Sequence, residues 1–181
     1  DVYKRQMGGS DAPEASSANV WTLNVSGQSW TALTDISNSG TSLSAGQGFL
    51  VYVFDDTDYD GTSDLPAIIS ITGTENSGNA TISSVPANGW VLAGNPYSST
   101  IDWDLVSDDN SPFGSTAYVW DDATSSYKSW NGSGSLTDGL IAPYQAFWVQ
   151  NTFVSNQTLT ISESHKASRS GILYRDLELL S

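Results

Sequence analysis

Cysteine is absent from the 181 residues, and basic residues are few. Without a thiol the chain has no disulfide framework, no thiolate zinc site and no cysteine nucleophile. Six Lys and Arg stand against 20 Asp and Glu, which gives a net charge of −14. No Lys or Arg occurs between Arg5 and Lys128, although that span holds fifteen acidic residues. Such a surface repels phosphate and anionic lipid, so we expect no nucleic-acid partner.

Long hydrophobic runs are also missing. No stretch of about 18 apolar residues occurs, so we expect no membrane insertion, and no signal peptide is visible. The chain begins "DVYKRQ" without an initiator Met and ends in an unfinished apolar–polar alternation. These edges predict a piece of a longer protein, whose neighbouring domains are its first expected partners. The sequence indicates no oligomeric state.

The apolar segments that are present have the composition of β-strands. They are short, rich in Val, Ile, Tyr, Trp and Thr, and bounded by Gly, Asn, Asp or Ser, which is typical of an all-β sandwich. Two of them, "GFLVYVF" and "AFWVQ", are apolar on both faces, as expected of central strands buried on both sides. The predicted strands are "NVWTLNV", "SWTAL", "GFLVYVF", "AIISITG", "NATISS", "GWVLAG", "AYVWD", "YKSW", "AFWVQN" and "QTLTIS".

A degenerate internal repeat runs through the chain. "VWTLNVSGQSW" (Val20–Trp30) parallels "VWDDATSSYKSW" (Val119–Trp130), and "LSAGQGFLVYV" parallels "LIAPYQAFWVQ". In the second pair of segments three positions match: Gln47 with Gln145, Phe49 with Phe147, and Val51 with Val149. Duplicated β units often pack face to face. We therefore predict an all-β sandwich built from two degenerate repeats of antiparallel strands.

The predicted domain boundaries follow from this repeat. Residues 1–18 form a lead-in that we expect to be truncated, and residues 19–165 form the duplicated domain. Within it, repeat one covers about 19–84 and repeat two about 89–163. Residues 166–181 are predicted to be a linker or the start of a following domain.

The first repeat contains an acidic loop with the spacing of a calcium site. In "DTDYDGTSD" the carboxylates recur at positions 1, 3, 5 and 9, with Gly61 at position 6, an arrangement that converges hard oxygen ligands on Ca²⁺. Position 12 is Ala67 instead of a bidentate acid, so affinity should be modest. The alternative is a solvated acidic hairpin tip without metal. The predicted metal ligands are Asp56, Asp58, Asp60, Thr62 and Asp64.

The second repeat supplies a comparison for that loop. It joins the equivalent strands through "NTFVSN", an ordinary short connection. The acidic loop is therefore interpreted as an insertion that folding does not require. The loop resembles those of EF-hands, dockerins and thrombospondin type 3 repeats, and bound calcium would stabilise the fold by mass action.

Aromatic and carboxylate side chains raise two further hypotheses. Trp30 and Trp130 lie near turns and are the predicted exposed platforms for sugar stacking, whereas the Trp residues inside strands are predicted to be core. Asp102 and Asp104 flank a Trp, which suggests either a carboxylate pair for glycoside hydrolysis or a capped helical turn. The only histidine, His165, is predicted to be a solvated loop residue.

Three segments together resemble a known family: "GWVLAGNPYSSTIDWD", "AYVWDDATSSYKSWNGSG" and "LTDGLIAPYQAFWVQ". They are similar to a β-rich module of large secreted or surface proteins of Bacteroidota and related marine bacteria, which are exported by type IX secretion. The resemblance covers about 8–165. It implies export to the cell surface or the extracellular space, and a non-catalytic module beside other domains. It implies no established ligand and no catalytic residues.

The sequence thus predicts a non-catalytic structural or adhesive module of an exported bacterial surface protein, with one calcium-stabilised loop. The first alternative is a carbohydrate-binding module that uses exposed aromatic residues, with polysaccharide as partner. The second is a glycoside hydrolase domain, which would need two carboxylates in a cleft.

Overall fold

The computed structural model describes residues 20–33, 43–52, 60–63 and 74–174. Within these ranges the chain consists mainly of antiparallel strands with one short α-helix, and the predicted all-β class is confirmed. The strands are β1 (Val20–Asn24), β2 (Ser29–Ala32), β3 (Phe49–Val51), β4 (Ala80–Val85), β5 (Trp90–Gly94), β6 (Ile101–Asp102), β7 (Ala117–Asp121), β8 (Ser126–Trp130), β9 (Leu140–Ile141), β10 (Ala146–Gln150) and β11 (Gln157–Ile161). The helix α1 (Trp103–Asp109) follows β6. The predicted strand "AIISITG" and the end of "GFLVYVF" lie outside the described residues.

The chain divides into two compact units. The first unit comprises Asp1–Asn24, Ser29–Leu43 and Phe49–Thr74. Its described strands form an antiparallel sheet in the order β2-β1-β3. Strand β1 supplies buried side chains, whereas every residue of β2 is exposed, so β2 is a solvated edge of this sheet.

The second unit comprises Val25–Gln28, Ser44–Gly48 and Glu75–Ser181. It contains a four-stranded sheet in the order β5-β10-β7-β8 and two-stranded sheets β11-β4 and β6-β9. Phe147 and Val149 of β10 share one buried core with Leu159 and Ile161 of β11. Because two sheets bury their side chains against one another, this unit is sandwich-like.

Helix α1 closes one side of this core. The Asp102 carboxylate caps it by accepting the backbone N–H of Asp104 at 3.0 Å, a stabilising arrangement at a helix N-terminus. Trp103 is fully buried, donates its indole N–H to the Ser115 carbonyl at 2.7 Å, and meets the Phe147 ring edge to face. The capped turn with a core Trp, one of the two interpretations of this segment, is therefore confirmed.

Each unit contains a hairpin that pairs with a third strand in the same order. β2-β1-β3 in the first unit corresponds to β8-β7-β10 in the second. Trp21 pairs with Leu50 in one ladder, and Tyr118 with Trp148 in the other. Both four-residue hairpin turns end on a residue with positive φ, Gln28 at 49° and Ser125 at 46°. The shared topology agrees with the predicted duplication, which itself stays a prediction.

The hairpin geometry changes one sequence correspondence. Counting from the turns, Trp30 is the second residue of β2, and Tyr127 is the second residue of β8. The sequence comparison had paired Trp30 with Trp130 instead. Since a shift of an odd number of residues moves a side chain to the opposite face of a strand, the two predicted stacking residues do not have the same environment.

Three buried asparagines tie the loops of the second unit to its strands. The carboxamide of Asn151 donates to the carbonyls of Val85, Pro86 and Ser155 at 2.9–3.0 Å, and accepts the N–H of Phe153. The carboxamides of Asn95 and Asn110 likewise bond backbone groups. These side chains supply hydrogen-bond partners to buried backbone groups of the loops and strands around them.

Residues 166–174, predicted to belong to a linker or a following domain, continue along the second unit. Ala167 donates its N–H to the Thr100 carbonyl, and Gly171 donates to the Thr100 hydroxyl, both at 2.9 Å. Tyr174 packs against the core and shares a hydrogen bond with the Thr137 hydroxyl. This segment is therefore part of the second unit, while residues 175–181 lie outside the described part of the chain.

Candidate functional site

One face of the four-stranded sheet carries aromatic side chains on all four strands. Trp148 on β10 lies directly opposite Tyr118 on β7, and Trp120 on β7 lies opposite Tyr127 on β8. Trp90 on β5 lies opposite Gln150, which follows Trp148 by two residues on β10. Directly opposed residues share a face, and so do residues two apart on one strand. The five side chains therefore point the same way, and we call them the aromatic strip: Trp90, Tyr118, Trp120, Tyr127 and Trp148.

The two faces of this sheet differ in burial, although Leu92, which lies opposite Trp148 on the face of the strip, is itself buried. On the opposite face every residue of β7, β10 and β5 is at most 7% exposed: Val91, Ala93, Ala117, Val119, Asp121, Phe147 and Val149. In the aromatic strip Trp90 is 36% exposed, Trp120 42% and Tyr127 50%, with the other two half-buried. The strip thus places large apolar rings where an exposed sheet face normally carries polar residues.

The rings of the strip contact one another. Trp90 meets Tyr118 at 5.8 Å between centroids and Trp148 at 6.5 Å, while Trp120 meets Tyr127 at 5.0 Å. Tilted and edge-to-face pairs of this kind are worth about 0.5–1.5 kcal/mol each beyond their buried area. Because neighbouring rings hold each other in place, a bound molecule would immobilise few additional rotamers.

The backbone beneath the strip is anchored at Trp90. The carboxamide of Gln28 accepts the Trp90 N–H at 2.7 Å and donates to the Trp90 carbonyl at 2.8 Å. The first residue of β5 is thereby bonded as it would be by a neighbouring strand. This contact fixes the position from which the Trp90 side chain projects.

Polar groups border the aromatic rings. The Asp122 carboxylate accepts the indole N–H of Trp120 at 3.3 Å, and Ser129 lies directly opposite Tyr118 on the same face. The Gln150 amide lies opposite Trp90 and donates to the Asn88 carbonyl at 3.0 Å. Apolar faces flanked by carboxylate, amide and hydroxyl groups match a ligand that has both C–H faces and hydroxyl groups.

A partly buried ion pair lies in the β7–β8 hairpin, which carries three of the five residues of the strip. The Asp121 carboxylate accepts the Thr124 hydroxyl at 2.7 Å and lies 3.1 Å from the Lys128 ammonium. The Thr124 hydrogen bond, followed by the Lys128 charge, lowers the pKa of Asp121 below its ordinary value. Lys128 lies opposite Val119, on the core side of the sheet, so its charge is directed away from the aromatic strip.

The sequence-based assignment of strand Trp residues to the core was wrong for Trp90 and Trp120, which are exposed. Trp148, the third strip residue that was assigned to the core, is only half-buried. "AFWVQ" is the central strand it was predicted to be, yet its burial alternates, and the predicted burial on both faces was wrong. Alternating burial is what produces the strip.

The two predicted stacking residues have different surroundings. Trp30 on β2 is 45% exposed. Trp130 is half-buried, packs against the core of the second unit and donates its indole N–H to the Asp104 carboxylate at 2.8 Å. Its ring also lies against Gly139, where an added Cβ would come within 2.6 Å of the indole nitrogen. Trp30 therefore offers an exposed ring, and Trp130 does not.

The predicted calcium ligands lie mostly outside the described residues. Asp56, Asp58 and Asp64 are outside them, and only Asp60 and Thr62 can be placed. The Asp60 carboxylate accepts the Thr62 N–H at 2.8 Å, and Gly61 has a φ of 85°, a left-handed conformation that a sharp turn of such a loop requires. Within the described ranges no three acidic or His side chains form a metal-binding group.

The remaining candidate catalytic groups have structural partners. His165 is buried, in contrast to the predicted solvated loop residue. One ring nitrogen accepts the Ser162 N–H at 3.1 Å, and the other bonds the Asp109 carboxylate at 2.9 Å. Asp102 caps α1, and Asp104 binds Trp130. Each of these groups thus has a partner that positions it within the fold.

No protein-family model, curated protein or solved structure matches this chain. Among the described residues no helix is long and apolar enough to cross a membrane.

Proposed function

We propose that this chain is a non-catalytic adhesive β module of an exported bacterial surface protein, and that the aromatic strip is its carbohydrate-binding surface. The observation that carries the proposal is the set of five aromatic side chains on one face of the four-stranded sheet, three of them at least 36% exposed. Aromatic faces bind the C–H faces of pyranose rings, and the polar border supplies partners for sugar hydroxyls. This function combines the adhesive module and the carbohydrate-binding module suggested by the sequence, because adhesion to a polysaccharide requires a surface that binds sugars.

Export and attachment to other domains remain part of the proposal. They are supported by the sequence segments that resemble modules of secreted Bacteroidota proteins. The high negative charge suits surroundings rich in salt and calcium, where cations screen repulsion between carboxylates.

Calcium enters the proposal as a stabilising ion of the acidic loop. The alternating carboxylates of "DTDYDGTSD" and the left-handed conformation of Gly61 support it. The ion would hold the acidic loop, to which Asp60 and Thr62 belong.

The experiment that tests carbohydrate binding is native affinity electrophoresis of the whole chain through gels that contain soluble polysaccharides. The strip variant Trp90→Ala/Trp120→Ala should lose retardation that the natural sequence shows. Phe153→Ala is the matched control, because Phe153 is 51% exposed in a loop and lies outside the four strands. Equal retardation of the strip variant and the natural sequence would overturn the proposal.

A further inference from the structure

The rings of the aromatic strip do not form one plane. The planes of Trp90 and Tyr118 are inclined at 60°, those of Trp90 and Trp148 at 81°, and those of Trp120 and Tyr127 at 73°. A flat crystalline surface can lie against only one ring of each such pair at a time. A single chain can turn between rings and contact several of them, so the ring geometry favours an isolated chain over a crystal face.

The strip is long enough for more than one sugar. It reaches from β5 to β8, which are separated by two intervening strands. Three strand spacings of about 4.8 Å amount to roughly 14 Å across the sheet. This span exceeds the width of one aromatic ring several-fold, so an oligosaccharide segment fits the strip better than a monosaccharide.

Charge selects among polysaccharides. The described part of the chain contains three basic residues, and each lies within 4.0 Å of an acid: Lys128 with Asp121, Lys166 with Glu163, and Arg169 with Asp138. The polar border of the strip contributes the Asp122 carboxylate. A uronate or sulfate placed on the strip would meet no unpaired cation among the described residues and would be repelled by a net charge of −14.

We infer that the aromatic strip binds single, soluble chains of an uncharged polysaccharide, and that it discriminates against anionic chains and against crystalline surfaces. This inference rests on the carbohydrate-binding function proposed above. Hydrogen bonds from sugar hydroxyls go to the border residues, and the ring faces take the apolar sides of successive sugars. The discrimination against anionic chains comes from the pairing of every described Lys and Arg with an acid, and the discrimination against crystalline surfaces comes from the inclined rings.

The test compares three kinds of probe with the whole chain. Neutral soluble probes are mixed-linkage β-glucan, xyloglucan and galactomannan; anionic probes are alginate and polygalacturonate; crystalline probes are microcrystalline cellulose and chitin. Each is used with calcium and with EDTA, because calcium bridges carboxylates. We expect retardation by at least one neutral probe, at least tenfold weaker binding of both anionic probes, and no co-sedimentation with either solid.

Variants link each result to the strip. The double variant Trp90→Ala/Trp120→Ala should weaken binding at least tenfold. The milder Tyr127→Ala should weaken it about threefold, and Phe153→Ala should leave it unchanged. Tyr127 is 50% exposed on β8, an edge strand of its sheet, so its truncation should leave the fold intact. Near-ultraviolet circular dichroism and thermal melting of each variant confirm that it is folded.

The negative outcomes distinguish a failure of the proposed selectivity from a failure of carbohydrate binding itself. Strip-dependent binding of alginate as tight as that of the neutral probes overturns the charge selectivity and leaves carbohydrate binding standing. Strip-dependent sedimentation with cellulose or chitin overturns the single-chain inference in the same way. Absence of binding to every probe, or binding that none of the strip variants weakens, overturns both the inference and the proposed function.

Discussion

Gly46 and Tyr144 take the same left-handed backbone conformation in two matching turns of the second unit. In each turn the residue after them, Gln47 or Gln145, donates its N–H to the carbonyl three positions earlier, at 3.0 and 3.1 Å. The φ angles are 83° for Gly46 and 58° for Tyr144. Pro143 precedes Tyr144, which is the residue order of a type II turn. Glycine takes this conformation without strain, whereas tyrosine does not.

Replacing Tyr144 by Gly should stabilise the protein by about 0.5–1 kcal/mol. The left-handed conformation costs a side-chain-bearing residue about 1–2 kcal/mol, and the extra freedom of Gly in the unfolded chain offsets part of the gain. The melting temperature should rise by roughly 1–4 °C. Tyr144→Ala is the control, because alanine retains the strain. A melting temperature that rises equally in both variants would show that the tyrosine ring, and not the backbone, causes the effect.

Removing the Asn151 carboxamide should destabilise the second unit strongly. Asn151→Ala leaves three carbonyls and one N–H without their buried partner, at a cost of about 2–4 kcal/mol. Asn151→Asp should cost more at neutral pH, since its carboxylate would face carbonyl oxygens. Urea unfolding measures both. The exposed Asn131→Ala should change stability by less than about 0.5 kcal/mol, and an effect of Asn151→Ala as small as that would contradict the assigned role.

The Asp121 carboxylate should make stability depend on pH in the acid range. Its folded pKa lies below the ordinary value of 3.8, chiefly because of the Thr124 hydroxyl. Because the folded pKa is lowered, the Asp121 carboxylate stabilises the protein fully at pH values above its unfolded pKa. This stabilisation is lost as the pH falls through the folded pKa. The stability advantage of the natural sequence over Asp121→Asn should therefore shrink below about pH 4. A stability advantage that stays constant from pH 6 to pH 2 would contradict the lowered folded pKa of Asp121.

Calcium should raise the melting temperature by binding the acidic loop. Ligand at a hundredfold excess over its dissociation constant stabilises the folded state by about 2.7 kcal/mol. Melting in calcium should therefore occur at a higher temperature than in EGTA, and Asp60→Ala should remove the difference. Asp108→Ala, an exposed acid on α1, should preserve it. Identical melting of the natural sequence in calcium and EGTA would exclude the site.

Strand composition made most of the second unit predictable. The predicted strand "AYVWD" coincides with β7, because a run of β-branched and aromatic residues bounded by turn residues strongly favours a strand over a helix. The two-residue strands β6 and β9 were missed, since they exist only through the pairing of Ile101 with Ile141 across a long stretch of sequence. No local pattern reports such a contact.

The aromatic strip escaped prediction for a related reason. A Trp in a strand resembles a core residue in sequence, and only the covering of one sheet face decides which Trp is solvated. Trp103 and Trp120 both have acidic neighbours on the carboxyl side, yet the first is fully buried and the second is 42% exposed. His165 shows the converse: its neighbours are polar, but its two ring nitrogens bond groups brought by other parts of the fold.

The most direct test of carbohydrate binding by the strip is nuclear magnetic resonance of the tryptophan indole N–H groups. The chain is titrated with cellohexaose, xylohexaose and mannohexaose, each tryptophan having been assigned by substitution. Carbohydrate binding by the strip predicts that at least one neutral hexaose shifts the signals of Trp90, Trp120 and Trp148, while the buried Trp103 stays fixed. Shifts confined to Trp30, or no shift at any strip tryptophan with all three sugars, would contradict it.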